Sequence, residues 1–565
     1  MNKKIFAALA SATMALSATG SLAVFAEDFD VVTEADGNNG AGAGLVVPNS
    51  AVKLNSENFP DQGFLNDLLK FFGNAAYGTE LTSEQVKAVD TIYVDGYTKD
   101  LKGIEVFGNL KNVETGYYAA TWNTTTKKWD AAAYTPATDA PTAGANLVTA
   151  NLSENSELAK VNLTNVNKLQ TLTVPEGKKL NSVTVRAASA PITEIDLSGN
   201  KWLNDVTING TDVAKIDLSN NVYMTTANLA SNDLNTVDLT NCTSLADVNV
   251  SSNELYGIEL PDSPDMKVLN VSNNLLQELD VTNLTNLATL IANDNEIRSI
   301  DLINNTALGD TVDGIKGTLR LENNHIGALN IPNSILTDLY FNELTGSWVN
   351  PQTVYVGDEF NAINLVDSFE EFEKDQMATT TGYNKKTGVF ELTGGKTTYT
   401  YYCNDESQYY YTQVDVIKAD VLNRLYNPNS GEHFYTADLD EKDALVKLGW
   451  HDEGIGWVSP TESATPVYRL YNPNAGDHHY TTNAFERDTL TSVGWKYEGI
   501  GWYSATPIQM DYNGVNGIKT VKVLREYNPN AKAAGAHNYT INHAENDFLV
   551  SVGWLDEGIA WWSLK

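Results

Sequence analysis

Ile195-Asp196-Leu197, Ile216-Asp217-Leu218, Val237-Asp238-Leu239, Ile258-Glu259-Leu260, Leu279-Asp280-Val281 and Ile300-Asp301-Leu302 recur every 21 residues without a slip. A second motif keeps the same beat: Ala227-Asn228-Leu229 to Asn232, Val248-Asn249-Val250 to Asn253, Leu269-Asn270-Val271 to Asn274, and Leu290-Ile291-Ala292 to Asn295. A unit this short cannot bury its own apolar edge, so it must stack on copies of itself. The pattern predicts a solenoid whose core is a column of Leu, Ile and Val.

Written as L-x-L-x-x-N-x-L, this pattern resembles the leucine-rich repeat, in the short form common on secreted bacterial proteins. Leu319-Arg320-Leu321 to Asn324 reads as a further rung after an eight-residue insertion. Each Asn is expected to bond backbone groups in the tight turn after its strand. Losing one would leave those groups buried and unpaired, at about 1–3 kcal/mol.

The 565 residues suggest three or four domains. A net charge of −35 argues against nucleic acid and anionic lipid surfaces as partners. Abundant Asn, Thr, Gly and Tyr suit an exported, β-rich surface protein. The two cysteines, Cys242 and Cys403, fall in different expected domains. Cys242 occupies an inward rung position, which reads as a buried thiol and not half of a disulfide.

Taken in order, residues 1–26 read as a secretory signal peptide: Lys3 and Lys4, an apolar run from Ile5 to Val24, then Val24-Phe25-Ala26 before Glu27. No later stretch is long and apolar enough to span a membrane. The end of the chain shows no sorting motif with an apolar tail. The expectation is a protein secreted into the medium or held non-covalently at the cell wall. Residues 27–50 read as a flexible leader. Residues 51–116 read as a helical N-terminal cap and first rungs, with Thr82 and Gln85 at capping-box spacing. This block is similar to the cap of many bacterial leucine-rich proteins. There the link between the helices often resembles a calcium loop, but Gly73, Ala75 and Tyr77 offer no side-chain carboxylates, so no calcium is expected. The solenoid is assigned to 117–345, with an insertion at 117–150. Alternating strands over 350–420 suggest a small, immunoglobulin-like β-sandwich.

Residues 421–565 repeat three times. The copies read Arg424-Leu425-Tyr426-Asn427-Pro428-Asn429, His433-Phe434-Tyr435-Thr436, Gly449-Trp450 and Glu453-Gly454-Ile455-Gly456-Trp457; then Arg469 to Asn474, His478-His479-Tyr480-Thr481, Gly494-Trp495 and Glu498 to Trp502; then Arg525 to Asn530, His537-Asn538-Tyr539-Thr540, Gly553-Trp554 and Glu557 to Trp561. Three such copies suit a β-trefoil. The motif set looks like a triple-repeat domain of uncharacterised function carried by secreted bacterial proteins, cell-wall hydrolases among them. The resemblance implies an accessory role, attachment to glycan or wall. The Gln-x-Trp of ricin-type lectins is missing before Trp457, Trp502 and Trp561. The expected fold class is thus mainly β and multidomain.

Two sets of candidate binding residues follow. In the C-terminal copies they are His433, Tyr435, Trp457, His478, Tyr480, Trp502, His537, Tyr539 and Trp561. The three histidines could pack the barrel, line a glycan pocket in each lobe, or converge on a metal. On the solenoid the outward residues of the asparagine rungs are Thr207, Asn228, Asn249, Asn270, Ile291 and Arg320, a small, nearly uncharged face suited to a protein or glycan. Asp196, Asp217, Asp238, Glu259, Asp280 and Asp301 read as turn-bonding, solvated carboxylates. No catalytic motif emerges, and neither cofactor nor metal is implied. The sequence reads as a binding or adhesion protein, with the solenoid expected to present a face to protein and the trefoil to bind wall or host glycan. The competing reading is a secreted carbohydrate- or peptidoglycan-active enzyme with the trefoil as accessory.

Overall fold

The computed structural model describes residues 47–138, 140–327, 329, 331, 349–350, 352–356, 383–384, 389–390, 396–403, 411–506, 520–531 and 534–564. The stretch expected to be a signal peptide, and the expected leader apart from its last residues, lie outside that set. The described chain is mainly β with few helices.

Helix α1, Gln62–Phe71, starts at Asp61, whose carboxylate accepts from Phe64 N at 2.7 Å. Phe64, Leu65, Leu68 and Phe71 recur every three or four residues and are all buried. Helix α2, Ser83–Lys87, carries a reciprocal capping box: Gln85 N donates to Thr82 Oγ1 at 3.2 Å and Thr82 N to Gln85 Oε1 at 3.0 Å. Phe59 stacks on Phe107 and Phe72 packs against it at a tilt, and Leu65 and Leu68 of α1 and Val86 of α2 join the same core as the first rungs.

Ten parallel strands then follow in sequence order: β1 Thr91–Val94, β2 Asn112–Thr115, β3 Lys160–Thr164, β4 Ser182–Ala190, β5 Asp205–Thr211, β6 Thr226–Asn228, β7 Asp247–Asn249, β8 Val268–Asn270, β9 Thr289–Ile291 and β10 Leu319–Arg320. Val206, Ala227, Val248, Leu269, Leu290 and Leu319 pair in register and are buried. This is the column the repeat demanded. Outside this sheet, Thr171–Thr173 pairs with Thr149–Asn151 in a separate two-stranded parallel sheet. Between β2 and β3, Tyr118–Asn123 and Lys128–Ala133 form an antiparallel hairpin, anchored by Trp129 Nε1 donating to Gln85 O at 3.0 Å.

Asparagines hold the turns. Asn253 donates to Leu229 O and Val250 O, both at 2.9 Å, and accepts from Leu234 N at 3.1 Å. Asn274, Asn295 and Asn324 repeat that triad on their own rungs. One side chain thus satisfies two buried carbonyls and one buried amide. The residue before each Asn takes positive φ: Ser231, Ser252, Asn273, Asp294 and Asn323 lie between 56° and 61°. A second ladder runs on the other side, where Asn200, Asn221 and Asn305 donate to carbonyls of the preceding rung. Cys242 stands at the equivalent position with its thiol 3.5 Å from Leu218 O. After Asn324 the ladder passes to a glutamine: Gln352 donates to Leu321 O and Val349 O at 2.8 and 2.7 Å, and accepts from Ile326 N at 3.1 Å.

Within 350–420 the described residues give a three-stranded sheet, with Gln352–Val356 parallel and Lys396–Tyr402 antiparallel to Tyr411–Lys418. Much of the expected sandwich lies outside the described residues.

Each C-terminal copy is a hairpin, a helix and a third strand. The helices are α3, Leu439–Lys447; α4, Ala484–Ser492; and α5, His543–Ser551. An all-β lobe was expected. The helix arises from Asp438, Asn483 and Asn542, which accept from the backbone amides of Glu441, Glu486 and Glu545.

Candidate functional site

The six solenoid candidates fall in one row, Thr207, Asn228, Asn249, Asn270, Ile291 and Arg320, each the register partner of the next. The row continues backwards through Thr184, Asn162, Glu114 and Tyr93. Every member is half-buried. Strand alternation puts these side chains opposite the buried column. Asn249 and Asn270 are locked by their own turns: Oδ1 accepts from Ser251 and Ser272, through N at 3.1 and 3.0 Å and Oγ at 2.7 Å in both. Arg320 is tied to Glu322. The row is therefore pre-organised and nearly uncharged along its middle, lowering the ordering cost of binding.

The triplet carboxylates act locally. Asp196, Asp238 and Asp280 accept from Ser198, Thr240 and Thr282, through N at 2.9–3.0 Å and hydroxyl at 2.6–2.7 Å. The hydrogen bonds from Ser198 hold Asp196 below the usual carboxylate range.

Six of the nine C-terminal candidates are core and must be withdrawn as ligand contacts. Tyr435, Tyr480, Tyr539, Trp457, Trp502 and Trp561 are at most 2 % exposed. The indoles meet pairwise at 5.6–5.7 Å, and each tyrosine packs on its own copy's tryptophan at 4.9–5.0 Å. The tyrosine hydroxyls close a cycle. Tyr435 OH donates to Tyr539 O and accepts from Tyr539 N; Tyr539 OH does the same on Tyr480, and Tyr480 OH on Tyr435, at 2.9–3.4 Å. Repetition in all three copies preserved packing, not a pocket.

The three histidines are each drawn into a separate ionic cluster. His433 Nε2 lies 2.9 Å from Arg424 Nη2 and 3.3 Å from Glu453 Oε2. His478 and His537 face Glu498 and Glu557 at 3.5 and 3.6 Å. In each cluster an arginine bridges its own copy's Glu and a helix Glu of another copy: Arg424 to Glu453 and Glu545, Arg469 to Glu498 and Glu441, Arg525 to Glu557 and Glu486. Hydrogen bonds from His479 and Thr481, with the charge of Arg525, pull Glu486 down to about 2. Burial, with His479 and Arg525 nearby, pushes His537 down to about 3. These clusters clamp copy to copy. Sequence reasoning passed over the arginines and helix glutamates, although the Asx-x-x-Glu spacing in each copy signalled a capped helix.

Among the described residues no group of three or more His, Cys, Asp or Glu is arranged to hold a metal. Both cysteines are buried, and burial pushes their thiols up to about 11 at Cys242 and about 12 at Cys403. Such thiols are poor nucleophiles. No helix of the described residues is long and apolar enough to cross a membrane.

Residues 421–564 match the family described as "Domain of unknown function (DUF5648)". Neighbours among solved structures are internalin-type leucine-rich repeat proteins. The functional domain of InlJ from Listeria monocytogenes is 16% identical, covering 66% of this chain and 100% of its own at a TM-score of 0.26. InlP of the same organism is 14% identical, covering 66% and 99% at 0.36. Internalin C2, also from Listeria monocytogenes, is 14% identical, covering 52% and 96% at 0.30. No curated protein matches the chain.

Proposed function

We propose that this chain is a non-catalytic adhesion or binding protein, exported by its signal peptide, whose solenoid sheet holds a protein partner. The observation that carries the proposal is the unbroken row from Tyr93 to Arg320. Its ten positions, spaced about 4.8 Å apart, extend about 43 Å, enough for one side of a standard protein interface. In this reading α1 and α2 cap the first rung, residues 350–420 are a sandwich spacer, and the three copies, trefoil-like in their closure, attach the molecule to wall or host glycan. With the repeated tyrosines and tryptophans buried, attachment would fall to the exposed Leu448, Ile455, Val493, Ile500, Val552 and Ile559, two in each copy.

The test compares adsorption of labelled full-length protein, N228R/N249R/N270R and a truncation lacking 421–565 to purified sacculi and to epithelial cells. The row variant should lose adsorption to a protease-sensitive receptor. The truncation should keep it and lose adsorption to sacculi or glycan. Equal adsorption by the row variant would sink the solenoid assignment. Release of soluble fragments from sacculi or mucin would instead favour the enzyme reading.

A further inference from the structure

We infer a second ligand site, for a short oligosaccharide, in the cleft between α1 and the chain that follows β1. Two adjoining clefts of about 520 and 410 Å³ share Lys70, Asn74 and Tyr97; Asn66 lines the first, Tyr117 and Tyr134 the second. The combined size suits a small ligand. Two glycines shape the walls. A Cβ on Gly63 would lie 2.2 Å from Tyr97 O, so only glycine lets α1 approach there. A Cβ on Gly96 would meet Pro141 O at 2.5 Å and Tyr117 OH at 2.7 Å.

Tyr97 is 44 % exposed despite its place over this wall, and Tyr117 and Tyr134 meet edge-on at 5.8 Å. These are rigid, amphipathic surfaces for stacking. Polar groups stand free beside them. Asn66 Oδ1 accepts from Gln62 at 2.9 Å, leaving its NH₂ without a partner among the described residues, as is the side chain of Asn74. Lys70 Nζ sits 5.3 Å from the Tyr97 ring and 3.7 Å from Asp95, too far for a hydrogen bond, so its N–H donors remain available. Asp95 is fully buried, with Oδ1 accepting from Tyr97 N at 2.7 Å and Oδ2 without a hydrogen-bond partner. Burial and the neighbouring Asp95 raise Asp67 well above its ordinary value, and Lys70 is the cation nearest this buried pair. The lining of the two clefts holds one lysine and no carboxylate, offers amide and ammonium donors, and is walled by tyrosines. That combination matches the apolar ring faces and hydroxyls of a sugar better than an acidic or basic peptide.

Calorimetry and saturation-transfer NMR on the full chain would use three probes: chitotriose, the N-acetylglucosamine–N-acetylmuramic acid disaccharide, and N-acetyllactosamine. The first two stand for wall-type glycan, the third for host-type. At least one should bind, and Tyr97→Ala and Asn74→Gly should each weaken it about tenfold or more with the melting temperature unchanged. Asn74 has φ 57°, so glycine keeps its backbone. Silence of all three probes at about 10 mM, or unaltered affinity in both variants, would overturn the site. The N228R/N249R/N270R variant should bind the sugar normally, separating this site from the solenoid face.

Discussion

The solenoid and the C-terminal module both repeat a short unit, but one is open and the other closed. In the ladder each rung satisfies its polar groups through the rung before it, as Asn253 does with Leu229 O and Leu234 N. In the module each copy satisfies another around a ring: Tyr435 on Tyr539, Tyr539 on Tyr480, Tyr480 on Tyr435. An open stack can be shortened or lengthened at an end. A closed ring of three loses two of its three links if one member leaves.

The sharpest way to break the comparison is to delete residues 520–565. Arg424 then loses Glu545 and Tyr435 loses its backbone partner, while copy three's part of the tryptophan core vanishes. The C-terminal transition should disappear from a calorimetric scan, while the solenoid transition persists. Next in size, Asn253→Ala strands two carbonyls and an amide in mid-ladder and should cost about 3 kcal/mol in denaturant unfolding of the solenoid. A loss below about 1 kcal/mol would mean that water replaces the asparagine.

A third test concerns pH. Glu526 is fully buried and pushed by desolvation up to about 8, so it stays protonated in the folded module. Its unfolded counterpart ionises above its ordinary value of 4.5, so stability from this group falls as pH rises from there through about 8. His537 works oppositely. It is neutral when folded down to about 3, so stability is lost as pH falls from 6.5 towards that value. Glu526→Gln should therefore stabilise the module at pH 8 by an amount on the order of 2 kcal/mol, read as a higher melting temperature, and change little below pH 4.5. The smallest expected effect is Ser231→Gly. With φ at 59°, Ser231 sits where glycine rests without a Cβ penalty, and the change should stabilise the ladder by about 0.5–1 kcal/mol.

The two regions also differ in how far their residues could be read in advance. The 21-residue beat placed Asn228, Asn249 and Asn270 in one row before any coordinates, because a parallel ladder with constant period has one register. It could not place Gln352, which takes the asparagine's task with a longer side chain and off the beat. In the C-terminal copies the same logic exposed Tyr435, Tyr480 and Tyr539 as equivalent without saying whether equivalence meant pocket or core. Arg424 and Glu545 are 121 residues apart, and no local spacing joins them. The tyrosine cleft at α1 had no repeat to announce it; only the close approaches at Gly63 and Gly96 assemble it.

What the sequence determined by itself was periodicity: the stacked column, the asparagine turns, the three equivalent copies and the helical start, all governed by neighbours a few residues or one rung away. Tertiary structure alone decided which repeated aromatics are buried, which charges meet across copies, and where free donors gather beside open rings. Those outcomes depend on contacts between distant segments, and burial, unlike register, is a property of the closed surface and not of the chain.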